Sequence, residues 1–248
     1  MEKIDILALA AHPDDTELGC GGTLAKLSRL GYKIGVVDFT QGEMGSRGTP
    51  EKRLEESGKA AEIIGLNIRE NLGLPDTKLE NKPAFRERII KVVRKYRPHI
   101  CLVGPPDDRH PDHGDATRLA IDALYYSGLS KLETTGADGN PQERWRPSHI
   151  LHYMQDRPFE PDLVFDITDT FETKMEAVLA FDSQFNVEDP GDEPETYVSS
   201  KRFFKNLEAK ARHYGHMIGV TYGEPFLYHH GPVPFNSFDL LMDMNPER

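Results

Sequence analysis

The chain has 248 residues, enough for one large α/β domain with a substantial buried core. Its 30 basic and 41 acidic residues leave a formal net charge of −11 with no basic stripe, which argues against nucleic acid as a partner. No apolar run reaches the length of a membrane span, the N-terminal apolar stretch is broken by Asp5 and is not a signal peptide, and Cys20 and Cys101 are too few for a disulfide framework, so a cytoplasmic setting is expected.

Residues 4–10 (IDILALA) are almost continuously apolar, as a parallel strand buried on both faces requires. His12-Pro13-Asp14-Asp15 follows at once, and a glycine-rich stretch then leads into Leu24, Leu27 and Leu30 at helical spacing. A second strand is expected over 33–39, and a helix over 51–64 on the strength of Leu54, Ala60, Ala61 and Ile64. A short, weakly marked strand falls around 68–72. Phe85, Ile89, Val92, Val93 and Tyr96 then trace one face of an amphipathic helix that Pro98 closes. Residues 99–103 (HICLV) read as a fourth strand, and the loop GPPDDRHPDHGD enters a helix carrying Ala116, Leu119, Ala120 and Ala123. Farther on, strands are expected at 149–154 and 163–167, a helix over 171–181 and a polar surface loop over 186–198. A last helix over 199–217 has Phe204, Leu207, Ala211, Tyr214 and Ile218 on one stripe.

The alternation of strand and helix predicts a Rossmann-like, doubly wound, mainly parallel sheet with helices on both faces. No linker, internal repeat or low-complexity tract divides it, so residues 1–248 are expected to form a single domain. Two polar clusters follow the first and fourth strands: His12-Pro-Asp14-Asp15 and His110-Pro-Asp112-His113. In a sheet ordered 3-2-1-4-5 those strands are neighbours at the topological switch point, so both clusters should face one crevice. Histidine and aspartate together suit a zinc ion with an open position for water, and a free carboxylate and an imidazole beside it complete the needs of amide hydrolysis.

The stretch AHPDDTELGCGGTLAKL, with the later HPDH, resembles the LmbE-like (PIG-L) family of metal-dependent N-acetylglucosaminyl deacetylases, along nearly the whole chain. TQGEMGSRGTPEKRLEE, ENLGLPD, SQFN and IGVTYGEPF resemble the branch that deacetylates N-acetylglucosaminyl malate in bacillithiol biosynthesis. The resemblance implies that His12, Asp15 and His113 hold the metal, usually zinc, with other divalent ions able to substitute. It makes Asp14 the general base and His110 the group that steadies the oxyanion or protonates the departing amine. Asp112 is then expected to orient His110, and Arg53 to contact the substrate. The family also implies a small acetamido-sugar as partner and a homo-oligomer, a trimer or hexamer.

Plainer readings compete. Asp14 or Asp15 alone could be a helix cap, and Arg47 and Arg53 could be surface charges. Against the latter, GEMGSRG is glycine-punctuated and follows the second strand, which carries Arg47 and Arg53 towards the pocket rim. Tyr197, in ETYVSS, is a candidate for closing over the pocket. Gly19, Gly21 and Gly22 do not have dinucleotide-fingerprint spacing and are expected to let a helix pack closely on the sheet. His99, His149 and His152 are expected to be packed rather than catalytic. The competing functions are deacetylation of another N-acetylglucosaminide (a chitooligosaccharide or a mycothiol-type precursor), phosphoester hydrolysis, and a zinc- or sugar-binding module without turnover.

Overall fold

The first apolar run forms β1 (Ile6–Ala10), every residue of which is buried. It pairs in parallel with β2 (Ile34–Asp38) on one side and with β4 (Ile100–Val103) on the other. β3 (Ile68–Asn71) joins β2, and β5 (His149–Tyr153) joins β4, again in parallel. The five strands therefore run 3-2-1-4-5, with β1 and β4 adjacent as expected. This computed structural model describes residues 3–185, 194, 196–233 and 237; of the loop expected over 186–198, residues 186–193 and 195 lie outside the described residues.

Side chains alternate across the sheet, as the pleat requires. Ile6, Ala8, Val36 and Leu102 pack with α1 (Asp15–Arg29), α2 (Pro50–Ile64) and α5 (Phe171–Leu179) on one face. Leu7, Leu9, Val37 and Val103 pack with α3 (Pro83–Tyr96) and α4 (Pro111–Tyr126) on the other. A short α6 (Asp182–Phe185) and the long α7 (Lys201–Met217) follow. No helix among the described residues is long and apolar enough to cross a membrane.

Two expectations change. Leu30 and Leu54 are 65% and 53% exposed instead of facing the core. Leu30 is the C-cap of α1, past its last turn. The inward stripe of α2 is instead Arg53, Glu56, Ser57, Ala60 and Ile64, at helical spacing, so this helix delivers an arginine to the interior. The second change is a seventh strand. β7 (Gly223–Tyr228) inserts antiparallel between β5 and β6 (Leu163–Asp166), making the sheet mixed. Pro225 and Gly223 disguise it in the sequence, because neither residue is favoured inside a strand.

Gly19 and Gly22 of α1 have the close-packing role expected of them, whereas a Cβ on Gly21 would come no nearer than 3.4 Å to a neighbour. A Cβ on Gly19 would collide with the ring of Tyr153 on β5, and one on Gly22 would lie 2.8 Å from Ile167. Between them the helix breaks at Cys20, whose φ of −145° is not helical.

Candidate active site

The two motif clusters occupy helix starts. His12 follows the end of β1, Asp14 is the N-cap residue of α1, and Asp15 opens that helix. His110 is the N-cap of α4 and His113 lies in its first turn. Because β1 and β4 are neighbours, the rings of His12, His110 and His113 come together, with centroids 4.9 to 5.6 Å apart. The switch-point convergence is thus present in the structure.

Each of two imidazoles turns one nitrogen inward and the other to a carboxylate. His12 Nδ1 lies 3.5 Å from Asp15 Oδ2, while its Nε2 meets Asp76 at 3.1 Å and Asp112 at 3.5 Å. His113 Nε2 lies 3.2 Å from Asp15 Oδ1, while its Nδ1 meets Asp108 at 2.5 Å. Asp15 is itself positioned by the His12 main-chain N–H, at 2.9 Å, and by the Gln155 side-chain amide, at 2.7 Å. Carboxylates on the outer nitrogens are what orient ligating histidines. Among the described residues, donor atoms of His12, His110 and His113 also lie within 4.8 Å of one another, as do those of His12, Asp76 and Asp112.

Charge shows what the cluster lacks. Asp14, Asp15, Asp76, Asp108 and Asp112 are all buried. Burial drives His12 towards neutrality, but hydrogen bonds to Asp112, Asp15 and Asp76 outweigh it and hold its pKa well above the ordinary value. Burial acts likewise on His113, yet the Asp15 charge and the bond to Asp108 raise it to about 9. Burial would raise Asp15, but the two imidazoles pull it well below the usual range. The site draws protons because carboxylates exceed fixed cations. A divalent cation fits the same imbalance, and imidazole with carboxylate is a donor set that zinc accepts.

Asp14 differs from its neighbours. Its φ of 116° is left-handed, a strained conformation for a residue with a Cβ, of the kind that concentrates at functional sites. Its Oδ2 accepts from Arg53 Nη2 at 2.8 Å. Arg53 also donates to the carbonyl of Pro13 at 2.8 Å, so α2 holds the strained turn by main chain and side chain together. Burial pushes the Asp14 carboxyl up to about 7, against the opposing charge of Arg53. A carboxylate poised there suits a general base near neutral pH.

His110 accepts the Asp112 N–H on Nδ1, at 3.3 Å. In the neutral ring the proton then sits on Nε2, making it a donor rather than a metal ligand. Burial, then the neighbouring His12 and His113, push its pKa down, which keeps that neutral form. The carboxylate of Asp112 does not orient His110 as expected. It faces His12 and accepts the main-chain N–H of Thr77 at 2.8 Å, because the first turn of α4 aims it across the crevice.

The surrounding cavity has a volume of about 770 Å³, and His12, Asp14, Asp15, Arg53, His110, His113 and Tyr197 all line it. Tyr197 is 47% exposed and donates its hydroxyl to Asp156 at 2.8 Å. Arg53 and Arg47 are buried and not surface charges. Arg47 is not among the cavity-lining residues; its carbonyl accepts from Gln184 at 2.8 Å. Packing takes the other histidines: His152 bonds the Gly104 carbonyl and His149 the Tyr228 hydroxyl, each at 2.8 Å. Asp76, Asp108 and Gln155 escaped the sequence reading. Asp76 stands in the quoted ENLGLPD and Asp108 in the loop before HPDH, so a polar residue inside a motif was the only available signal.

Similarity to known proteins places the chain in a family. The PIG-L family profile, described as GlcNAc-PI de-N-acetylase, matches residues 7–124. A diacetylchitobiose deacetylase of Thermococcus kodakarensis is 31% identical over 88% of this chain and 80% of its own length. A probable N-acetyl-alpha-D-glucosaminyl L-malate deacetylase 2 of Bacillus cereus is 27% identical over 72% of this chain and 83% of its own. Among solved structures, a conserved protein of Thermus thermophilus superposes with a TM-score of 0.83 at 38% identity, covering 94% of this chain and 97% of that one. With that fold, those motifs and relatives of this identity, the chain belongs to the PIG-L (LmbE-like) family of metal-dependent deacetylases.

Proposed function

We propose that this protein is a zinc-dependent hydrolase that releases acetate from an N-acetylglucosaminide, and that its substrate is N-acetylglucosaminyl malate. The observation that carries the reading is Asp14, a buried carboxylate beside the His12–Asp15–His113 set whose outward partner is Arg53. A pure binding site has no use for an unligated carboxylate held in a strained conformation. The chemistry zinc supplies when bound is Lewis-acid polarisation of the acetamide carbonyl and acidification of water.

The residues divide the remaining work. His12, Asp15 and His113 hold the metal, and Asp76, Asp112 and Asp108 fix the two imidazoles. Asp14 accepts the proton of the attacking water. His110 donates its Nε2 proton in a hydrogen bond to the developing oxyanion, as a neutral imidazole can. Protonation of the departing sugar amine completes the reaction, with Asp14 or His110 as donor. Arg53 steadies Asp14 and lines the cavity that takes the sugar.

The malate branch is supported by the sequence similarity of its long segments and by the Bacillus cereus relative. A second reading, a chitobiose-type substrate, is favoured by the Thermococcus relative and by a cavity roomy enough for a disaccharide. Acetate release by the zinc-loaded protein from N-acetylglucosaminyl malate, N,N′-diacetylchitobiose and free N-acetylglucosamine separates the two. Asp14→Ala should lose about 10²–10⁴-fold in kcat, the usual contribution of a general base, while retaining zinc. If none of these amides is cleaved while zinc binds tightly, the deacetylase reading fails.

A further inference from the structure

α7 forms one wall of the cavity, presenting Phe203, Asn206, Leu207, Lys210 and Tyr214 at helical spacing. The cations lining this space differ in one respect. Arg53 is paired with Asp14 at 2.8 Å and Arg109 with Asp156 at 2.9 Å. Among the described residues, Lys210 has no carboxylate partner. Its ammonium donates to the main-chain carbonyl of Gln155 at 2.6 Å, and a lysine carries three donors. Burial, then the nearby charge of Lys174, pushes its pKa down to about 8. An ammonium that lines a cavity and has donors beyond its one carbonyl bond can take an incoming anion, and a low-dielectric wall such as Leu207 and Phe203 strengthens that attraction.

The position of this cation is tied to the chemistry. Gln155, whose carbonyl receives the Lys210 ammonium, uses its side chain to hold Asp15 at 2.7 Å. One residue therefore links the two places, so an anion bound at Lys210 can belong to the same molecule as the acetamide. Resting on the deacetylase reading above, we infer that Lys210 is a specificity-determining residue: it binds a carboxylate carried by the aglycone of the acetamido sugar. A neutral aglycone, such as a second hexosamine, offers no anion to this ammonium, whose charge Asp156, Asp108 and Glu224 offset only from beyond ion-pair distance.

The test compares the zinc-loaded wild type, Lys210→Met and Lys210→Arg on N-acetylglucosaminyl malate and on methyl N-acetylglucosaminide. In Lys210→Met the malate-to-methyl ratio of kcat/KM should fall about 10- to 100-fold, chiefly through KM, as loss of one charge-assisted hydrogen bond implies. Lys210→Arg should recover most of that ratio. Calorimetric titration with glucosaminyl malate, the deacetylated product, should show a matching loss of affinity in Lys210→Met. Equal losses on both substrates, or a wild type indifferent to the carboxylates, would overturn the subsite and leave the deacetylase standing. No acetate from either substrate would remove the deacetylase reading and the subsite with it.

Discussion

The outer nitrogens of His12 and His113 carry much of the site's precision. Asp108 grips His113 Nδ1 at 2.5 Å with one oxygen, and its other oxygen accepts the main-chain N–H groups of Asp156 and Arg157 at 3.0 and 2.7 Å. The carboxylate thereby anchors the ring to a second loop and, in the proposed site, would set which nitrogen is offered to a metal. Asp108→Asn keeps the shape but removes the charge that makes the imidazole a better donor. Zinc affinity, measured by competition with a chromophoric chelator, should drop about 10- to 100-fold. An unchanged affinity would show that the His113 ring is held by packing alone.

Among the elements, α1 matters most, because it carries Asp14 and Asp15 at its start and sits directly on Tyr153 of β5. That close approach exists only because Gly19 has no side chain, and Tyr153 is itself pinned by a hydroxyl bond to the Leu9 carbonyl at 3.1 Å. Gly19→Ala must push the helix off the sheet or displace a fully buried ring. Overpacking of this kind costs about 1–3 kcal/mol, which should appear as a lower midpoint in urea denaturation. The same shift moves Asp15 away from His113, so zinc affinity should weaken in parallel. A variant with native stability and native zinc binding would mean that the helix seat tolerates a methyl group.

Across the molecule, one buried carboxylate joins the antiparallel end of the sheet to the helix that bears the site. The break at Cys20 leaves the next N–H groups of α1 without helical partners, as at any helix start. Glu224 of β7 supplies them, accepting from Gly22 N–H at 3.1 Å and Thr23 N–H at 2.7 Å, and from the Thr23 hydroxyl at 2.6 Å. Lys174 of α5 completes the arrangement, its ammonium 2.5 Å from Glu224 and 2.9 Å from the Leu18 carbonyl. Glu224→Gln leaves Lys174 as a buried charge without its counter-ion, a change that costs roughly 3–5 kcal/mol. Adding Lys174→Met should recover a measurable part of that loss in a double-mutant cycle. Simple additivity of the two substitutions would show that the pair is not coupled.

The apolar runs at 4–10, 33–39 and 99–103, with the helical periods between them, pointed to a doubly wound fold, and the strand order usual for that fold then predicted the meeting of the two histidine–aspartate clusters. A strand buried on both faces and a helix with one buried stripe write their surroundings into their own composition, so that part of the fold is local information. The carboxylates that complete the site are not local. Asp76 and Asp108 look like ordinary loop aspartates until sheet order places them against His12 and His113, and Asp112 chooses His12 over its neighbour His110 because of where the first turn of α4 points. The same holds for Glu224, which caps a break in α1 from some two hundred positions away. Hydrogen-bond partners between loops depend on distances through space, and those exist only once the strands have assembled.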